Sequence, residues 1–301
     1  MNKPLVIGSR GSQLALWQAR WISARLAALG RESRIEIIKT SGDQIVDVTL
    51  AEVGRKTGGK GVFTKEIEDA LLAGTIDLAV HSLKDLPTEL PPGLALGVVP
   101  ERAQPHDALV GKTLDELQPG DVVGSGSPRR AAQILAARPG VEVRGIRGNV
   151  DTRLRKRDQG DYDAIVLARA GLERLGLGER IAQVLEPAVM TPAVGQGALG
   201  IEIREGDAAV LAAIAPLEDA LTRACTDAER ALLAALGGGC QTPLGALAVG
   251  LPDGTLELQA VVAAPDGSRL VRAVEQGADP VELGRRTALT LRRAGADALL
   301  T

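Results

Sequence analysis

Between Arg129 and Arg157 the chain carries eight arginines and one lysine against only Glu142 and Asp151. That is a local excess of seven positive charges in a chain whose formal net charge is −3. Arginine presents a planar fork suited to bidentate capture of carboxylate or phosphate. Ser127-Pro128 reads as the start of a helix, which puts Arg129 and Arg130 in its first turn, where free amides and the helix dipole also favour an anion. Arg147 and Arg153 flank the turn Gly148-Asn149-Val150. The chemistry this predicts is retention of a multiply anionic ligand. Arg155, Lys156 and Arg157 are read instead as a solvated face. Nucleic acid is a poor fit, because the stretch holds no aromatic side chain for base stacking. A phosphate ligand would have neither a P-loop nor a Gly-x-Gly-x-x-Gly turn to sit on.

Three further constellations carry chemistry. His81-Ser82-Leu83-Lys84-Asp85 closes a short apolar run, and a carboxylate there can stabilise a cation or move protons, with Lys84 favouring its ionised form. Gly237-Gly238-Gly239-Cys240-Gln241 leaves Cys240 on an accessible loop, as a nucleophile or covalent attachment point, whereas Cys225 reads as a small buried hydrophobe on a helix. Ser9-Arg10-Gly11-Ser12 repeats the logic of residues 127–130, a basic side chain and a hydroxyl at a helix start. Two cysteines and two histidines make no metal site, and none is expected. A two-lobed anion-binding protein without catalysis is the alternative reading, but simple capture needs neither Asp85 nor Cys240.

The elements that position these residues alternate. Leu5-Val6-Ile7 reads as a buried strand. Ser12 caps a helix whose Leu14, Trp17, Trp21, Leu26 and Leu29 recur at helical spacing, with Gly30 as its stop. Strands are expected at 35–39 and 76–80, and a helix capped by Thr64 runs to Leu72. A second alternating set starts near Asp107, with strands at 122–123, 141–146 and 164–167 and a basic helix over 151–157. Alternation of this kind predicts mostly parallel sheets, whose carboxyl-end turns are where ligands bind. Five prolines between 87 and 105 make the connection a hinge, and Gly195-Gln196-Gly197 begins a second crossing. From residue 216 the texture changes. A helix over 218–236 ends at three glycines, two Pro-Asp-Gly turns at 252–254 and 265–267 separate antiparallel strands, and a helix over 281–299 closes the chain.

Seven stretches in this order resemble the porphobilinogen deaminase (hydroxymethylbilane synthase) family. They are Arg10 to Ala19, Gly58-Gly59-Lys60-Gly61, His81 to Pro87, Ser127-Pro128-Arg129-Arg130, Arg147 to Arg153, Pro192 to Ala198, and Gly238-Gly239-Cys240-Gln241. The resemblance spans nearly the whole chain. It implies an α/β fold of two type II periplasmic-binding-protein-like lobes, 1–99 with 199–216 and 104–193, the first carrying the catalytic aspartate. A small α+β C-terminal domain, 217–301, would hold a three-stranded antiparallel sheet and the cofactor cysteine. It implies that four porphobilinogen molecules are deaminated, joined head to tail on a dipyrromethane cofactor and released by water as hydroxymethylbilane. Cys240 would hold the cofactor through a thioether, and Asp85 would be the catalytic acid, stabilising the cationic pyrrole and relaying protons. Each pyrrole carries an acetate and a propionate, which gives the arginines a ligand. Arg10, Ser12, Gln18, Lys60, Ser82, Lys84, Ser127, Arg129, Arg130, Arg147, Arg153, Arg174 and Gln196 are carried over as binding residues. Three positions depart from the family pattern: Gly126 in place of a hydroxyl residue, the insertion Arg55-Lys56-Thr57, and the extra charge of Arg169.

Composition bounds the rest. Hydrophobic residues make up 45% of the chain but aromatics only 1%, so Leu, Ile, Val and Ala must fill the cores. The opening run is too short for a signal peptide and no apolar stretch is long enough to span a bilayer, so a cytoplasmic protein, free of membrane and nucleic acid, is expected. A monomer is what the resemblance implies.

Overall fold

The computed structural model describes residues 3–40, 64–237 and 242–300, and divides into two compact units. The first comprises residues 1–102 and 198–223. Its sheet contains β1 (Leu5–Ser9), β2 (Ser33–Ile37), β3 (Leu78–Ser82), β4 (Leu94–Val98) and β10 (Leu199–Arg204), in the order β2-β1-β3-β10-β4. Only β10 runs against the others. Both faces are covered, as the unbroken apolar runs require. Ile7, Leu78 and Val80 pack with Ile22 and Leu26 of α1 (Gln13–Ala28), while Val6 and Ala79 pack on the opposite face with Ile67 and Leu71 of α2 (Lys65–Leu72).

The second unit comprises residues 103–197 and 224–301. Its first sheet repeats the plan: β5 (Asp107–Gly111), β6 (Val122–Gly124), β7 (Glu142–Arg144), β8 (Ala164–Ala168) and β9 (Gln183–Leu185) lie in the order β7-β6-β8-β5-β9. Here β5 is the strand that runs against its neighbours. The helices α3 (Pro128–Ala137), α4 (Val150–Asp158) and α5 (Arg169–Arg174) follow β6, β7 and β8. The mostly parallel expectation therefore holds in direction, with one reversed strand set inside each sheet.

After α6 (Ala208–Ile214) and α7 (Ala220–Ala235), the three-stranded antiparallel sheet forms from β11 (Leu244–Gly250), β12 (Leu256–Ala263) and β13 (Leu270–Gly277), covered by α8 (Pro280–Arg293). Cys225 is buried in that core with Leu232, Leu258 and Leu283, as its helix position predicts. Both Pro-Asp-Gly turns form, with Asp253 and Asp266 accepting the amides of Thr255 and Ser268. The second turn lies against α3: a Cβ on Gly267 would stand 2.7 Å from the Ala132 carbonyl oxygen.

Several expectations are corrected. Thr64 starts α2 in a helical conformation without a side-chain cap, so the helix rests on Ile67 and Leu71 packing instead. The last helix does not run through to 299. It stops at Arg293, and Gly295 at φ +90° turns the chain into a separate 3₁₀ turn, Ala296–Leu299. Strands β4 and β9 were not anticipated. Among the described residues, no helix is long and apolar enough to cross a membrane and no His, Cys, Asp and Glu group could hold a metal ion.

Candidate active site

In the first unit the site is built at the carboxyl ends of two adjacent parallel strands, β1 and β3. Ser9 ends β1, Arg10 and Gly11 turn the chain, and the Ser12 hydroxyl caps α1 by accepting the Ala15 amide at 3.3 Å. Arg10 is half-buried in that turn. One and a half helical turns on, the buried Gln18 donates from Nε2 to Ser82 Oγ at 2.8 Å, which locks α1 to the end of β3. Beyond Ser82 the chain makes a single 3₁₀ turn, Leu83–Asp85. Leu83 and Leu86 are buried and pin the turn at both ends, and Leu83 N donates to Ala198 O. Gly200 lies beneath them; a Cβ there would stand 3.0 Å from the Leu83 side chain. Lys84 is left half-buried and Asp85 exposed.

His81 points the other way. Its Nε2 lies 3.0 Å from Glu202 Oε2, and both side chains are buried. Glu68 of α2 is also buried, and loss of water pushes its carboxyl above the usual range.

In the second unit the turns after β6, β7 and β8 gather the arginines along one sheet edge. Ser125 Oγ accepts the Ser127 amide at 3.2 Å, and Ser127 in turn caps α3 over the Arg130 amide, with Pro128 at the first helical position. A Cβ on Gly126 would come within 2.9 Å of the Ile146 carbonyl oxygen, so the turn has no room for a side chain at that position, and its neighbouring hydroxyl is that of Ser125. In the next turn Gly148 sits at φ +111°, and a side chain there would overlap Thr152 at 2.6 Å. Arg153 Nε donates to Gly148 O at 2.7 Å, and Arg147 is half-buried on the other side of the turn. Arg174 follows β8 on α5, giving Nη2 to Gly197 O at 2.7 Å, and burial brings its guanidinium down to about 10.

Arg129 and Arg130 differ from the two open forks the sequence implies. They are 3% and 6% exposed, and both close on Asp107, which is fully buried. Asp107 Oδ2 accepts Arg129 Nη1 at 2.7 Å, while Oδ1 accepts Arg130 Nε at 2.9 Å and Nη2 at 2.6 Å. Arg129 Nη1 also donates to Thr191 O, and Arg130 Nη1 to Val166 O. Gln196 is equally buried and donates to Asp107 Oδ1 at 2.9 Å and Pro105 O at 2.7 Å. Burial alone would raise the Asp107 carboxyl; the two guanidiniums more than offset it and hold it well below the carboxylate range.

Four other arginines are engaged in ion pairs elsewhere. Arg138 pairs with Asp115, Arg144 with Glu142, Arg157 with Asp158, and Arg169 with Glu173 one helical turn away. Arg169 is thus a local helix pair. Lys60, Arg55-Lys56-Thr57, the Gly58 to Gly61 stretch and Cys240 with Gly238, Gly239 and Gln241 lie outside the described residues.

Sequence reading missed Asp107, Ser125 and Glu229. Asp107 had one signal, an acid heading the apolar run Ala108-Leu109-Val110. Nothing local marked Glu229, which is buried on α7 and accepts the amides of Gly195 and Ala248.

Two family models match the chain: porphobilinogen deaminase, dipyromethane cofactor binding domain, over residues 5–212, and porphobilinogen deaminase, C-terminal domain, over residues 223–293. The porphobilinogen deaminase of Thiobacillus denitrificans is 52% identical, covering 98% of this chain and 97% of its own. That of Chromobacterium violaceum is 54% identical over 98% and 96%, and that of Desulforudis audaxviator 51% over 100% and 98%. Among solved structures, an ABC transporter periplasmic substrate-binding protein from Coxiella burnetii aligns at 12% identity, 73% and 94% coverage and a TM-score of 0.45. With both models placed end to end and relatives matched over almost their entire length, the chain belongs to the porphobilinogen deaminase family.

Proposed function

We propose that this protein is a porphobilinogen deaminase, a hydroxymethylbilane synthase. It joins four porphobilinogen molecules head to tail, releasing one ammonia at each addition, and then frees hydroxymethylbilane by hydrolysis. The observation that carries the reading is Asp85, an exposed carboxylate on a turn pinned by buried Leu83 and Leu86 at the edge that also holds Arg10 and Ser12.

The dipyrromethane cofactor, when bound through Cys240, supplies the pyrrole position to which the first substrate is joined. The donor set fits such a polycarboxylate. Arg147, Arg153 and Arg174 lie along the same edge as Arg129 and Arg130, and Ser125 and Ser127 add hydroxyls. Arg10, Ser12, Lys60, Ser82 and Lys84 complete the proposed binding set. Gln18 and Gln196 direct their amides inside the fold, so they act by positioning Ser82 and Asp107. Asp85 works as a charge and a proton carrier. Departure of ammonia leaves the substrate pyrrole electron-poor, and a carboxylate fixed beside it stabilises the developing cation. The same carboxylate oxygen accepts the proton released when aromaticity is restored. The buried Leu83 and Leu86 hold the backbone of the turn that carries Asp85. In this reading the protein acts as a cytoplasmic monomer on a small-molecule substrate, with neither nucleic acid nor membrane as partner.

The test is the intact mass of the purified protein together with porphobilinogen consumption. The expected mass exceeds that of the polypeptide by one dipyrromethane, gives a pink Ehrlich reaction, and reverts to the bare chain in Cys240→Ser. An unmodified mass in a sample that turns over would remove Cys240 from its role. Absence of turnover in a loaded sample would overturn the function.

A further inference from the structure

A carboxylate buried among the arginines of an anion site works against the site's charge, and its presence calls for a reason. Asp107 is the only acid bonded to Arg129 and Arg130 among the described residues, and it reduces their joint charge from two to one. It also consumes specific hydrogens. Both donors of Arg129 Nη1 are spent, on Asp107 and Thr191 O, while no bond to a described residue is made by the Nε and Nη2 edge. That edge is the side-on face by which a guanidinium takes a carboxylate in two parallel bonds. Arg130 gives Nε and Nη2 to Asp107 and Nη1 to Val166 O, so it braces the carboxylate that orients Arg129. Gln196, held by Pro105 O, fixes Asp107 from a third side.

The sheet itself does not require an acid here. In the first unit, the strand in the matching place opposite the end of β3 begins with Leu199, paired with Ser82. In the second, Asp107 pairs with Ala168 at the end of β8. Leu199 is buried and apolar, so the same strand position is satisfied without charge. The carboxylate belongs to the arginine centre.

Resting on the proposed function, we propose that Asp107 is a positioning residue that presents the free edge of Arg129 and sets the centre at one net positive charge, matched to one substrate carboxylate that must later let go. A ligand that grows and shifts needs contacts that break. An unreduced pair of buried guanidiniums would hold a carboxylate in low dielectric, where each extra charge weighs heavily. Asp107 thereby trades retention for release.

The experiment compares the wild-type holoenzyme with Asp107→Asn and Asp107→Ala, reading cofactor loading and enzyme-bound pyrrole intermediates by intact mass, and kcat and KM for porphobilinogen. Asp107→Asn is expected to load cofactor, to lose at least tenfold in kcat with KM not raised, and to accumulate bound intermediates. In Asp107→Ala, sodium formate is expected to restore kcat saturably, and sodium chloride at equal ionic strength is not. The proposal is overturned if kcat loss only tracks the folded fraction, if KM rises with kcat unchanged, or if folded Asp107→Ala ignores formate. Should Asp107→Ala fail to fold, the kcat against KM split and mass distribution of Asp107→Asn decide. Wild-type turnover is measured first: its absence sinks the function itself, whereas normal wild-type turnover with unselective variants sinks only the role of Asp107.

Discussion

Glu229 Oε2 accepts the backbone amide of Gly195 at 2.7 Å in the interior of the fold. Its other oxygen takes the Ala248 amide of β11 at 2.9 Å, so one carboxylate ties helix α7, the 195–197 turn and the C-terminal sheet together. The turn it holds is the one that presents Gln196 to Asp107. Glu229→Gln would place a donor against one of the two amides. The expected loss is roughly 1–3 kcal/mol, the cost of one orphaned buried group. Urea unfolding reads the loss, and hydrogen exchange should quicken at Gly195 or Ala248. Unchanged exchange at both amides would show that the carboxylate carries no such load.

Asp85 is exposed and its turn is held by leucines, so its removal should spare the fold. For Asp85→Ala the urea midpoint is expected within about 0.5 kcal/mol of wild type. Cofactor mass should persist while turnover drops by about 10²–10⁴, the range for a positioned acid or base. Near-normal porphobilinogen consumption would strike Asp85 from the mechanism.

Arg129 and Arg147 should separate stability from binding. Arg129→Leu removes one of the two cationic partners of a buried carboxylate, a loss of about 3–5 kcal/mol, and should impair folding and cofactor assembly together. Arg147 is half-buried beside its turn, so Arg147→Leu should stay folded and stall elongation, visible as intermediates by mass. Unaltered elongation in Arg147→Leu would count against the carboxylate clamp.

Asp107 also predicts an acid dependence. Its folded-state pKa lies below the ordinary 3.8, so unfolding takes up a proton. The stabilisation is fully present above about pH 5 and is lost as pH falls through the folded value. The urea stability gap between wild type and Asp107→Asn should be constant from pH 5 to 7 and narrow below pH 4. A gap that widens in acid would mean the sign is wrong.

Glu68 carries the opposite sign. Its pKa is raised above 4.5, chiefly by burial, so its stabilising state is the protonated one, present at low pH and lost as pH rises through the folded value. Glu68→Gln should therefore unfold at higher temperature than wild type at pH 8 and with it at pH 4. Equal shifts at both pH values would point to packing instead.

Much of the local structure was legible because its causes are local. Ser12 and Ser127 cap the helices their positions predict, and Gly30 ends α1 with positive φ. Thr64 looked like the same signal and was not, because α2 is held by Ile67 and Leu71 rather than by a cap. The reversed strands β5 and β10 were not legible. Their direction depends on partners drawn from distant parts of the chain, and an apolar run reads alike either way up.

Taken alone, the sequence raised the expectation that the arginine excess serves an anion, placed Asp85 just beyond a strand, and marked which turns need Ser, Pro or Gly. Those conclusions rest on residue chemistry and on spacing within one or two helical turns. Only the tertiary structure decided which groups the arginines bond. Asp107 meets Arg130 across 23 positions and Gln196 across 89, and Glu229 reaches Gly195 across 34. Burial removes water from these groups, so each must be neutralised or bonded by whatever the fold brings beside it, and that neighbour is not written in the adjoining residues.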